Sequence, residues 1–263
     1  MNTAIDIMEN KPIIIVSKGG SEENVKYNLD GSVKLTHTNK LAGISSEVFG
    51  FTSQEDIAAM VKVFDKHIEE AQDNNKRQIA ARNKMLFLIG INIGIRASDL
   101  RQVKWSYFLE DNGDETFTFK KGYTIMPKKT AHKRKFVNLY FNQAIQKALT
   151  EYISIYPFES LDDYLFPSRK GDGSITEASI WRILNETAKE AGIEQNIGSH
   201  SLRKTFGYWI WHNAEDKNKS LIILQQIFNH SSPATTAKYI GITKAEMEET
   251  FNSLTLGMEY AVF

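Results

Sequence analysis

Five short stretches of this 263-residue chain hold the side chains whose types could do chemistry together. They are Gly94-Ile95-Arg96-Ala97-Ser98-Asp99-Leu100, Lys128-Lys129-Thr130, His200-Ser201-Leu202-Arg203, Asn229-His230-Ser231-Ser232 and Tyr239. An arginine fork matches an oxyanion with two parallel, charge-assisted hydrogen bonds, a histidine exchanges protons near neutral pH, and a tyrosine attacks once it is relieved of its proton. The chain has no cysteine, so a covalent step must use another nucleophile and neither disulfides nor thiolate metal sites are available. Each residue also has a plain reading. Arg96 can be the salt-bridge partner of a buried helix, His200 and Arg203 lie three apart and so share a helix face, and His230 and Tyr239 can be helix-end and core groups. The plain reading expects these residues to be scattered in space; a shared role expects them to converge on one basic concavity.

Thirty-two bases balance thirty-two acids, which argues against a protein that coats nucleic acid nonspecifically. The distribution is uneven. Residues 116–140 carry Lys120, Lys121, Lys128, Lys129, Lys133, Arg134 and Lys135 with no acid, whereas residues 54–75 hold six acids against Lys62 and Lys66. A basic stripe of this kind is either a solvated hairpin or a surface for phosphates.

The elements that must position these groups follow from periodicity. Hydrophobic content of 41% and charged content of 24% sit near globular averages and exclude a disordered or collagen-like chain. The most apolar run, residues 85–95, is far shorter than the ~20 residues of a membrane span, and Asp6 and Glu9 interrupt the N-terminal apolar residues, so no secretory signal is expected. The chain reads as cytoplasmic. Residues 1–50 lack helical periodicity and read as an irregular arm. Thr52-Ser53-Gln54-Glu55 fits a capping box that opens a globular domain over 51–263. Helices are expected at 77–93, 97–104, 144–156, 176–191, 200–212, 220–228, 234–239 and 244–253, the last starting a C-terminal helical tail from about 243. The β-rich stretches 116–119, 123–126 and 134–139 read as one small meander carrying the lysines. The fold class is mainly α with a small antiparallel β-sheet.

The order and spacing of the five stretches over residues 51–263 resembles the tyrosine recombinase, or phage integrase, family. Gly94 to Asp99 matches its G-[LI]-R-x-[ST]-[ED] motif, Lys128 to His132 is similar to its hairpin turn with the catalytic lysine, and His200 to Arg203 matches H-x-L-R. His230-Ser231-Ser232 is followed by a tyrosine nine residues after the histidine, at Tyr239, as in the family.

The resemblance implies that family's catalytic-domain fold and a reaction in which Tyr239 attacks a DNA phosphodiester and forms a phosphotyrosine. Arg96 and Arg203 would hold the nonbridging oxygens, His200 would accept the tyrosine proton, and His230 would hydrogen-bond a phosphate oxygen. Lys129 would protonate the 5′ leaving oxygen, with Lys128 as competitor because turn register is not readable from sequence. Asp99 would support Arg96 or His200, and Lys128, Lys133, Arg134, Lys135 and Lys204 would contact DNA. No metal or other cofactor is expected, since the energy of the broken bond stays in the phosphotyrosine. Double-stranded DNA is the expected partner, with self-association to a tetramer on paired sites and no membrane.

Departures from the pattern are Asn229 in place of the family's glycine before the last histidine, expected to keep a left-handed turn, and Lys204 where many relatives have histidine. Full-length relatives also place a helical core-binding domain before the catalytic one, and residues 1–50 read as too short and irregular for that. Two other readings stay open: a non-catalytic DNA-binding protein on the same fold, which should lack a catalytic residue, and a type IB topoisomerase, whose spacing around the final histidine differs.

Overall fold

Local signals in the sequence open nearly every helix. In the computed structural model, which describes residues 48–113, 116–128, 136–169, 171, 173–242 and 251–252, Ser53 caps α1 (Gln54–Glu69) by accepting the Asp56 amide. The cap lies one residue beyond the expected Thr52, and the Ser53 hydroxyl itself reaches Glu55. Asp73, Asn142, Thr176, Asp216 and Ser232 do the same for α2 (Asn74–Ile93), α4 (Gln143–Ile155), α5 (Glu177–Glu190), α7 (Lys217–Phe228) and α8 (Pro233–Ile240). Each such oxygen satisfies an amide left orphaned by the helix start. Helix α3 (Ala97–Leu100) is shorter than the expected 97–104, because Lys104 leaves the helix to bridge Tyr164 and a 3₁₀ turn follows over Trp105–Tyr107. Helix α6 (Ser201–His212) begins at His200 with no side-chain cap.

The β-rich region is two separate hairpins in place of one meander. Strand β1 (Leu109–Asp111), unforeseen in the sequence, pairs antiparallel with β2 (Phe117–Phe119), and β3 (Gly122–Ile125) pairs antiparallel with β4 (Val137–Tyr140). Lys120 and Lys121 separate them: the Lys120 amide turns back to the Phe108 carbonyl, the Lys121 carbonyl receives the Phe141 amide, and the Lys120 ammonium is tied to the Ser106 carbonyl. The chain is thus diverted before β2 and β3 can share a ladder.

The main hydrophobic cluster joins α1, α2, α4 and α5 with the inner faces of the hairpins, and Leu86, Phe87 and Ile89 are fully buried in it. Each side chain of this size contributes about 1.5–3 kcal/mol on leaving water. A second cluster joins α7 and α8 through Leu224, Phe228, Ala237, Ile240 and Ile242. Helix α6 ties the two together. Gly90 of α2 lies so close to Leu202 that an added Cβ would meet its side chain at 2.5 Å, and Gly207 abuts Ile240 and Phe228. Residues ahead of α1 lie on α6 as well, with the Phe51 amide donating to the Thr205 hydroxyl and the Trp209 indole donating to the Phe51 carbonyl. All of this belongs to one unit, Val48–Phe263. No helix among the described residues is long and apolar enough to cross a membrane.

Candidate active site

Arg203 occupies the seam between the two clusters. It is 5% exposed, a position that costs a cation its hydration unless fixed acceptors replace it. Two helix ends supply them. Its Nη1 donates to the Gly94 carbonyl at 2.7 Å and its Nη2 to the Phe228 carbonyl at 2.9 Å. Gly94 and Asn229 are the left-handed C-caps of α2 and α7, so the guanidinium meets the negative ends of two helix dipoles. The Phe228 ring covers its face at 4.1 Å. Burial pulls Arg203 down to about 10, which leaves it cationic at neutral pH. Two of its five donor hydrogens are used on these carbonyls, and the guanidinium also hydrogen-bonds the Tyr239 side chain.

Asn229 has φ 54° and ψ 45°, the left-handed turn expected at that position, and this turn aims His230 back over α8. The His230 ring packs edge-to-face on Phe228 and on Tyr239, with centroids 5.3 and 5.1 Å apart, and its Nδ1 lies 3.1 Å from the Thr236 hydroxyl. Burial, then Arg203 and Arg96, lower its pKa, so the imidazole is neutral at pH 7. Tyr239, on the last turn of α8, is half-buried with its hydroxyl 3.3 Å from His200 Nδ1. Burial raises its phenol above the ordinary value near 10, while Arg203 and Arg96 pull it back.

Arg96 is half-exposed between α2 and α3 and acts electrostatically on Arg203, His230 and Tyr239. Among the described residues no hydrogen bond or ion pair occupies its side chain. Asp99, expected to support Arg96 or His200, accepts the Lys128 backbone amide through Oδ1 at 3.0 Å, anchoring the start of the β3–β4 connection. Lys128 is exposed. Lys129, Lys133, Arg134 and Lys135 lie outside the described residues. Lys204 is only 8% exposed, and its ammonium stands 5.5 Å from the Tyr239 ring centroid, so its charge is directed at the site.

The five residues Arg96, His200, Arg203, His230 and Tyr239 therefore come together in one site around Tyr239, against the reading that scatters them. The sequence reading missed Phe228, whose face covers Arg203 and which meets the His230 and Tyr239 rings edge-to-face. It also missed Gly94 as an acceptor for Arg203. Phe228 stands two residues before His230, but nothing in the pattern of types marks a ring as a platform. The Gly94 contact is a backbone atom, invisible to side-chain motifs.

Residues 53–246 match the model of the phage integrase family. The chain belongs to the phage integrase family. Among its curated family relatives is a probable integrase/recombinase of Bacillus subtilis, YoeC, 34% identical over 61% of this chain and 78% of the relative. The tyrosine recombinase XerH of Helicobacter pylori is 26% identical over 89% of this chain but only 60% of its own length. In three dimensions the family fold is shared with the XerA recombinase, at a TM-score of 0.55 and 20% identity over 81% of this chain and 66% of that one. It is shared also with XerH bound to its palindromic difH substrate, at a TM-score of 0.54 and 23% identity over 86% and 61%.

Proposed function

We propose that this chain is the catalytic part of a site-specific DNA recombinase that cleaves and rejoins DNA strands through a 3′-phosphotyrosine. The observation that carries the reading is the convergence of two arginines and two histidines on Tyr239. The names of its relatives, integrase and tyrosine recombinase, support it.

The roles are as follows. The Tyr239 oxygen attacks the scissile phosphorus, and its proton passes to His200, already at hydrogen-bond distance. Arg203 and Arg96 bind the nonbridging oxygens as negative charge builds, and the buried Arg203 spends no reorganisation in doing so. His230 donates to a phosphate oxygen. The 5′ oxygen leaves with a proton from Lys129, or from Lys128 if the turn register differs by one. Attack of a second 5′ hydroxyl on the phosphotyrosine reverses these steps and rejoins the strand, with the phosphoester bond conserved.

The substrate is double-stranded DNA in the cytoplasm, gripped by phosphate contacts from the basic stripe of residues 116–140, with Lys128, Lys133, Arg134 and Lys135 as its contacts and Lys204 as a further one, so affinity should fall steeply as salt rises. We assign tetramer assembly on paired sites to the tail: Phe251 is helical and 71% exposed, and in the sequence Met247 stands four residues before it and Leu254 three after, an apolar spacing of helical period. Deleting residues 243–263 should weaken assembly while leaving strand cleavage.

The deciding experiment is incubation of the chain with a nicked duplex from which the cleaved strand end diffuses away. A denaturant-resistant protein–DNA adduct, absent with Tyr239→Phe, is expected. DNA binding with no adduct across the chain's own flanking sequences would instead identify a non-catalytic DNA-binding protein.

A further inference from the structure

Thr236 is fully buried in the first turns of α8, and its hydroxyl has one proton with two acceptors in reach. One is His230 Nδ1 at 3.1 Å, and the other is the Ser232 carbonyl at 3.3 Å. That carbonyl already receives the amide of Thr236 itself. The choice has chemical consequences for the histidine. A neutral imidazole has a single N–H. If the threonine proton goes to Ser232, the ring must donate from Nδ1, and Nε2 at its far end is a bare lone pair that repels a phosphate oxygen. If the proton goes to Nδ1, Nε2 carries the hydrogen and can donate it.

The ring is not free to resolve this by turning. The His230 amide donates to the Gln225 carbonyl and the His230 carbonyl accepts from the Gln225 side chain, while Phe228 and Tyr239 hold the ring edge-to-face. The charged and titratable groups around it are Arg203 from α6, Arg96 from the α2–α3 junction and Tyr239 from α8. Both arginines disfavour an imidazolium, so the site relies on the neutral ring in the right tautomer.

We propose that Thr236 is a positioning residue that sets the tautomer of His230, donating its hydroxyl proton to Nδ1 so that Nε2–H is available to a phosphate oxygen. The catalytic half of this inference rests on the reading of the site as one that holds a phosphodiester; the tautomer itself does not.

The test has two arms on the full chain. In the first, long-range ¹H–¹⁵N correlation of histidine-labelled protein without DNA at pH 7.5 reads the tautomer, with the His230 signals identified by their loss in His230→Gln. The Nε2–H form is expected in the unmodified chain and in Thr236→Ser, and loss of that preference in Thr236→Val. An Nδ1–H form in the unmodified chain overturns the proposal whatever happens on DNA. In the second arm, Thr236→Val should form the covalent adduct about tenfold more slowly or worse, a smaller deficit than outright loss of one charge-stabilising donor. DNA affinity should stay within about twofold, and Thr236→Ser should keep near-normal rates. The deficit of Thr236→Val should shrink as pH falls and His230 takes up a proton, because protonation places a hydrogen on Nε2 regardless of tautomer. A deficit that is equal in both variants and flat with pH marks a packing role and overturns it. If the unmodified chain forms no adduct, the functional reading fails and the spectra alone decide the tautomer. Should Thr236→Val not fold, the spectra of the unmodified chain and of Thr236→Ser still do.

Discussion

His200 Nδ1 and the Tyr239 hydroxyl stand 3.3 Å apart across 39 residues of chain, one at the start of α6 and the other on the last turn of α8. A phenol is protonated at neutral pH, and burial raises this one further above its ordinary value, so the proton must leave during attack. Tyr239→Phe is expected to abolish the covalent adduct with DNA affinity within about twofold, since one hydroxyl and no charge is removed. His200→Ala should slow adduct formation by about a hundredfold, the contribution of a positioned base. Single-turnover rates on a nicked duplex check both; a full-speed His200→Ala would remove the histidine from proton transfer.

The two arginines should fail differently. Arg203→Ala strands the Gly94 and Phe228 carbonyls in a buried seam, at a cost of about 1–3 kcal/mol for each group left unsatisfied, so thermal unfolding should shift down along with cleavage. Arg96 is half-exposed and, among the described residues, makes no such bonds. Arg96→Ala should leave Tm within a degree or two while lowering cleavage by about a hundredfold or more. Equal Tm losses for the two variants would contradict this division.

Asp99 gives a way to find the general acid. Asp99→Ala removes the acceptor of the Lys128 amide and should loosen the hairpin start, whereas Asp99→Asn keeps an oxygen there and should be milder. With a substrate whose 5′ leaving atom is sulfur, Lys129→Ala should recover its rate, because a thiolate departs without a proton, and Asp99→Ala should recover in part. Arg96→Ala should gain nothing. Recovery by Lys128→Ala alone would move the general acid to that position.

Protonation of His230 should be felt in stability. Its pKa in the folded chain is lowered, first by burial and then by Arg203 and Arg96, so the unfolded chain binds the proton more readily. Stability contributed by this group is present above the ordinary histidine value near 6.5 and declines as pH falls below it. Between pH 7.5 and 5, Tm of His230→Gln should therefore fall less than that of the unmodified chain, as differential scanning calorimetry can measure.

Backbone conformation separates two further substitutions. Gly94 has φ +61°, and a Cβ there would sit 2.2 Å from the Phe206 ring. Gly94→Ala should destabilise strongly and, by moving the carbonyl that holds Arg203, cut cleavage as well. Asn229 adopts φ 54° without being glycine, and Asn229→Gly should be neutral or slightly stabilising in chemical denaturation.

The amino-acid sequence by itself determined what is local. Ser53, Asn142, Thr176, Asp216 and Ser232 each cap a helix within three residues of themselves, Asn229 turns left-handed before His230, and the five motif stretches name the residues that meet at the site. Capping and left-handed turns depend on neighbours a few bonds away, and residue types at fixed spacing carry the resemblance to the family.

Tertiary structure decided the partners. Arg203 binds a carbonyl 109 residues away and another 25 away, Asp99 reaches the backbone 29 residues on, and Phe228 becomes the ring on which three site residues rest. The division of the lysine-rich region into two hairpins likewise depends on where Lys120 and Lys121 find carbonyls and amides. Such pairings involve backbone atoms and ring faces that every residue of a given type possesses. Only the packing of α2, α6 and α7 against one another selects which of them meet, because burial there leaves a charged or polar group no water to turn to and makes each available acceptor decisive.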